Sequence, residues 1–187
     1  DAKNYLTEIA KAQGIDAEDD ALHIIAQKAD GAMRDALSIF DRVVSYSGNS
    51  LTREAVSKNL NVLDYDVFFK STSLILENKI PELLVYFDEI LKNGFDGQHY
   101  IAGLASHFRD LMVCKNPQTI PLLEVGETAK LMYQEQSQKC ALAFLKESII
   151  IANNCDLNYK LSKNQRLLVE LSLMQLASVT FDGAKKK

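Results

Sequence analysis

The chain has 187 residues, 47% of them hydrophobic and 25% charged, which is enough for one or two domains with real cores. Its net charge is −4, with 7 Lys/Arg against 11 Asp/Glu in residues 1–65 and 14 against 14 after them; no basic stripe exists to neutralise a run of phosphates, which argues against tight direct DNA binding by this stretch. No run reaches the ~18–20 apolar residues needed to cross a bilayer, so no membrane partner is expected.

A secretory signal pattern is absent at the start. The sequence opens at Asp1 rather than at Met, so a piece of a longer protein, or a processed one, is expected. Cys114, Cys140 and Cys155 are scattered and form no C-x-x-C, and they read as reduced structural thiols of a cytoplasm.

In chain order, residues 2–13 read as a helix with Tyr5, Leu6 and Ile9 on one side and Gly14 as its stop. Asp16 can cap a second helix from Ala17 to Ala29, with Ala21, Leu22, Ile25 and Ala29 inward. A third begins after the Asp30-Gly31 turn and ends near Ser47, before Gly48. Its apolar positions Met33, Leu37, Phe40 and Val44 recur at helical spacing, widened by Ala36 and Val43. Arg34, Ser38, Asp41 and Ser45 fall on the opposite side. Thr52 can cap a fourth helix, Arg53 to Leu60, with Val56 and Leu60 inward. Four helices in some 60 residues predict a small bundle.

Residues 61–65 form a junction without the Gly/Ser content of a flexible linker, which predicts two halves at a defined angle with some hinge freedom. Beyond it, Asp66–Glu77 is predicted helical, with Val67, Phe68, Ser71, Leu74 and Ile75 along one side. A helix from Pro81 to Asn93 follows, with Leu84, Phe87, Ile90 and Leu91 inward and Gly94 as its stop. Asp96 can cap Gly97–Cys114, where Tyr100, Leu104, His107, Phe108 and Leu111 cluster. Leu122–Glu135 reads as a polar, poorly bounded helix. Lys139–Asn153 carries Leu142, Leu145, Ile149, Ile150 and Ile151. Ser162-x-x-Gln165 reads as a capping box for Gln165–Val179, a helix apolar nearly all round. Such a helix is either the centre of a domain or a centre that also meets other chains. Residues 182–187 read as a disordered polar tail. No segment has the period of a strand, so the predicted fold is all-α.

Arg34 is the candidate for chemistry. It lies in the first turn of its helix, where a cation opposes the dipole by roughly 0.3–1 kcal/mol. Free first-turn N–H groups beside a guanidinium suit an anion, phosphate above all. The plainer reading is an ion pair with Asp30 or Asp35.

The run Gly31-x-x-Arg34-Asp35-Ala36-Leu37-Ser38 resembles the sensor-2 segment of bacterial clamp-loader ATPases, most nearly of the gamma/tau subunits of DNA polymerase III. The order of features from about residue 15 to about 181 resembles the same family. The resemblance implies a four-helix AAA+ lid over residues 1–65 and a five- to six-helix oligomerisation collar over 66–181. It implies that Arg34 reaches the phosphates of ATP, with Gly31, Asp35, Ala36 and Leu37 as its supporting motif. It implies that ATP and Mg²⁺ are held mainly by an ATPase domain outside this chain, since no phosphate-cradling G-x-x-x-x-G-K-[ST] loop occurs here. The implied partners are other copies, the delta and delta-prime subunits and, through the complex, the sliding clamp and primer–template DNA. The implied setting is a bacterial cytoplasm, and Leu168, Leu171 and Gln175 of the last helix are candidate interface residues.

The competing reading is an unrelated all-helical adaptor without a nucleotide role. A helical metalloenzyme is disfavoured, because paired Glu-x-x-His motifs are missing. His99, His107 and Cys114 are spaced too widely for a metal site. His107 reads as a packing histidine near Asp110.

Overall fold

The computed structural model describes residues 2–30 and 32–184, with 182–184 as backbone alone. It divides into two units, residues 1–64 with 125–129, and residues 65–124 with 130–187. Among the described residues there are ten α-helices and two two-residue strands, so the chain is all-α as predicted.

The first unit contains α1 (Ala2–Ala12), β1 (Asp16–Ala17), α2 (Asp19–Lys28), α3 (Met33–Ser47), β2 (Ser50–Leu51) and α4 (Arg53–Asn59). Its core is built from Leu6, Leu22, Ile25, Phe40, Val43, Leu51 and Val56. The α1 face differs from the expectation: Ala2, Leu6 and Ala10 are buried, while Tyr5 is exposed. The reason is size. Two alanines let α1 lie close to its neighbours, and the Tyr5 ring keeps its hydroxyl in water.

The start of the second helix also departs from the sequence reading. Asp16 does not cap it. Asp16 and Ala17 pair in parallel with Ser50 and Leu51, and α2 begins at Asp19 after Glu18. Asp16 N–H donates to the Asn49 carbonyl at 2.8 Å and Glu18 N–H to that of Leu51 at 3.0 Å. A two-residue bridge has no period to detect, and the residues that satisfy it lie 34 positions away. Thr52 caps α4 as expected, its hydroxyl accepting the Ala55 N–H at 3.1 Å.

The second unit contains α5 (Tyr65–Leu76), α6 (Ile80–Lys92), α7 (Gly97–Val113), a 3₁₀ turn (Ile120–Leu122), all but the first three residues of α8 (Glu127–Gln138), α9 (Leu142–Asn158) and α10 (Gln165–Ala184). α7 is its axis: Tyr100, Ile101, Leu104, Phe108 and Leu111 are all 0% exposed. Asp96 caps it through N–H bonds from Gln98 (2.6 Å) and His99 (3.0 Å), as its sequence predicts. The inward faces of α5 and α6 are turned by about one residue from the expectation, centring on Phe69 and Thr72 in α5 and on Leu83 in α6.

Four helices end in the same way. Gly14, Asn61, Asn78 and Gly94 each have φ between 53° and 90°. In each, this residue and the next donate back into the last helical turn, as Gly94 N–H to Leu91 and Phe95 N–H to Ile90 show. This is the Schellman closure, which needs a left-handed residue and so selects Gly or Asn. Asn78 adds a long-range bond, its Nδ2 donating to the Ala177 carbonyl of α10 at 2.7 Å.

The predicted Leu122–Glu135 helix is displaced to Glu127–Gln138. Polar ties place it. Gln136 Nε2 donates to the Phe69 carbonyl at 3.0 Å, Ser137 Oγ to the Leu111 carbonyl at 2.7 Å, and Lys115 Nζ to the Ser137 carbonyl at 2.5 Å. The capping box does not form. Asn164 Oδ1 accepts the Leu167 N–H, while the Gln165 amide reaches the Tyr159 carbonyl instead of back to the cap. α10 then continues through residues 182–184, which the sequence assigned to the tail; Lys185–Lys187 lie outside the described residues.

Gly103 lets α5 approach α7. A Cβ there would lie 2.2 Å from Cζ of Phe68, whose ring sits between Tyr100 and His107 at centroid distances of 6.3 and 6.2 Å. The ring has rigid neighbours on both sides. Gly103→Ala is expected to lower the unfolding free energy by about 1–3 kcal/mol despite the better helix propensity of alanine, as measured by urea denaturation.

Candidate nucleotide-sensing arginine and assembly surface

α3 opens on Ala32, which has extended backbone (φ −77°, ψ 117°) and gives no side-chain cap. Ala36 N–H is the first to bond within the helix, to the Ala32 carbonyl at 2.9 Å. The amides of Met33, Arg34 and Asp35 precede it and have no intrahelical acceptor. Arg34, Asp35 and Ser38 are exposed, Ala36 is fully buried and Leu37 half-buried. The inward face runs through Ala36, Phe40 and Val43, so Met33 is exposed instead of anchoring it. Burying the small Ala36 brings the first turn of α3 against the core and leaves Arg34 facing water. Among the described residues Arg34 enters no ion pair, so the Asp30 or Asp35 partnership is not formed. Gly31 lies outside the described residues.

The second candidate is the outer surface of α9 and α10. α9 carries two apolar stripes. Leu145, Ser148, Ala152 and Cys155 point inward, while Leu142, Ile150 and Leu157 are 52%, 53% and 67% exposed. Of the apolar residues that the sequence places on this helix, Leu142 and Ile150 therefore face out. Leu161, in the turn, is exposed, as are Leu167, Leu171 and Gln175 of α10; Leu168 is half-buried. The sequence singled out α10 alone. The signal it offered for α9 was a second apolar repeat, offset from the first, in a helix with apolar residues to spare.

The histidines do not assemble a metal site. His99 is exposed, with Nδ1 2.8 Å from Asp96 Oδ2. His107 is buried among Phe68, Phe69, Phe108 and Tyr133. Its Nε2 donates to Gln136 Oε1 at 2.7 Å, not to Asp110, which pairs with Arg109. Among the described residues no group of three His, Cys, Asp or Glu could hold a metal ion. All three cysteines are free, and burial pushes their thiols up, Cys140 to about 11, which disfavours the thiolate near neutrality.

Burial also lowers the His107 imidazole from 6.5 to about 4. The folded chain holds it neutral, so the unfolded chain takes up the proton first as pH falls. Its contribution to stability is complete above pH 6.5 and is lost as pH falls towards 4. Between pH 6.5 and 5 the parent chain is expected to lose about 1.5 kcal/mol more than His107→Gln, by urea unfolding at each pH.

No helix among the described residues is long and apolar enough to cross a membrane. Residues 1–49 match the family model described as the ATPase lid domain of the DNA polymerase III clamp loader subunit. Over 182 residues the chain is 28% identical to DNA polymerase III subunit tau of Bacillus subtilis, covering 96% of this chain and 32% of that protein. It is 23% identical over 178 residues to Protein STICHEL-like 2 of Arabidopsis thaliana, covering 95% of this chain and 20% of that one. The chain thus spans a third or less of these relatives. Among solved structures it shares its fold with the DNA clamp loader delta protein of Bacillus subtilis, at TM-score 0.56 and 19% identity, over 95% of this chain and 56% of that one. The resemblance first carried by the run at Arg34 extends along nearly the whole chain: residues 1–49 match the clamp-loader lid domain, and the rest follows clamp-loader subunits of the gamma/tau kind.

Proposed function

We propose that this chain is the lid and collar of a gamma/tau-type subunit of the DNA polymerase III clamp loader, which places the sliding clamp on DNA with ATP. Residues 1–65 act as the lid, and residues 66–181 as the oligomerisation collar. The observation that carries the reading is Arg34: an exposed guanidinium on the uncapped first turn of α3, inside the stretch that matches the lid domain. Three free amides and a cation form a donor set suited to phosphate oxygens, with Asp35, Ala36 and Leu37 setting the helix start.

The remainder of the ATP site, with its Mg²⁺, comes from an ATPase domain outside this sequence. Arg34 supplies charge to the phosphates and so makes the lid responsive to the nucleotide. The collar joins this subunit to other copies and to delta and delta-prime, and the sliding clamp and primer–template DNA are met through that complex, in the bacterial cytoplasm. The exposed leucines of α9 and α10 support the collar reading, because an apolar surface of this kind is suited to burial against another chain.

In the full-length parent, Arg34→Ala is expected to lower nucleotide affinity or clamp-stimulated ATPase. The melting temperature of this chain should stay within about 1 °C, since surface substitutions cost little. A fall of several degrees would make Arg34 structural and favour the adaptor reading. Leu157→Glu with Leu171→Glu should abolish hetero-oligomers with the delta and delta-prime collars in native mass spectrometry while leaving the circular dichroism spectrum unchanged. Undiminished assembly would remove this surface from the interface.

A further inference from the structure

The junction after α4 is bound to the first unit almost residue by residue. Leu60 is buried as the last turn of α4 closes. Asn61 takes the left-handed conformation at φ 53°. Its N–H donates to the Lys58 carbonyl at 3.3 Å, and Val62 N–H donates to that of Ser57 at 2.9 Å. These two bonds make the Schellman closure, and Val62 packs on the core that contains Val56.

Two residues later a charge pair takes over. Arg53 Nε lies 2.8 Å from Asp64 Oδ2, and the two side chains are only 18% and 17% exposed. Arg53 is itself pinned from its other side, its backbone N–H donating to Glu18 Oε2 at 2.9 Å. Tyr65 already opens α5, with its ring edge-on to Phe69 at 5.9 Å.

We infer that residues 61–64 are no linker but the rigid last segment of the first unit, held by the Arg53–Asp64 pair as a clasp. The clasp acts through shielding: two partly desolvated charges attract more strongly than a surface pair, and the closed turn before them leaves only Leu63 to be ordered. A released clasp frees Leu63 and Asp64.

Backbone ¹⁵N relaxation on this chain tests it. The parent is expected to show order parameters near 0.85 from Asn61 to Asp64, the value of a rigid backbone. In Arg53→Gln, and independently in Asp64→Ala, those of Leu63 and Asp64 should fall below about 0.6 while those of α1 to α3 stay unchanged. Both substitutions leave the Arg53 backbone N–H bond to Glu18 in place, and an unchanged circular dichroism spectrum in each guards against a loss of fold. Values already below about 0.6 in the parent, or unchanged values in both variants, would overturn the inference.

Discussion

In the second unit, the constraint from which the arrangement follows is the burial of α7. A 17-residue helix whose Tyr100, Ile101, Leu104, Phe108 and Leu111 are all removed from water must be covered along its length. Full burial of each such side chain is worth about 1.5–3 kcal/mol, more than any single polar tie in the unit. α5, α9 and α10 do the covering. Gly103 lets Phe68 of α5 seat against the helix, and Phe144 of α9 meets Phe108 edge-on. α10 closes the rest with Val169, Leu173 and Leu176.

Polar groups then choose among the ways of packing such a core. The Tyr100 hydroxyl donates to Ser71 Oγ at 2.7 Å inside it, and Ser71 in turn donates to the Val67 carbonyl. Gln136 joins His107 of α7 to the backbone of α5. A buried amide or imidazole tolerates few positions, because an unpaired one costs about 1–3 kcal/mol. These bonds therefore fix the register of α5, α7 and α8 where apolar contacts alone would permit sliding. The first unit reaches a similar result differently. A short parallel bridge and closed helix ends hold four small helices, and the Arg53–Asp64 pair extends that order through the junction.

The proposed roles rest on what each unit leaves outside. The first unit buries Ala36 and exposes Arg34, so a cation stands on an uncapped helix start. The second buries one stripe of α9 and exposes another, leaving leucines that its own core does not need. The proposed nucleotide-responsive lid and assembling collar would use surfaces of these two kinds.

The sequence by itself determined the helical class, the helix stops at Gly14, Gly48 and Gly94, the caps at Thr52 and Asp96, and the outward placement of Arg34. Each of these depends on neighbours within four or five positions, where periodicity and capping chemistry operate. Tertiary structure decided what depends on distant partners. It turned Asp16 and Ala17 into a strand by giving them Ser50 and Leu51, and moved α8 onto the partners of Gln136 and Ser137. It also chose between the two apolar stripes of α9: both satisfy helical spacing, and only the position of α7 settles which of them is buried.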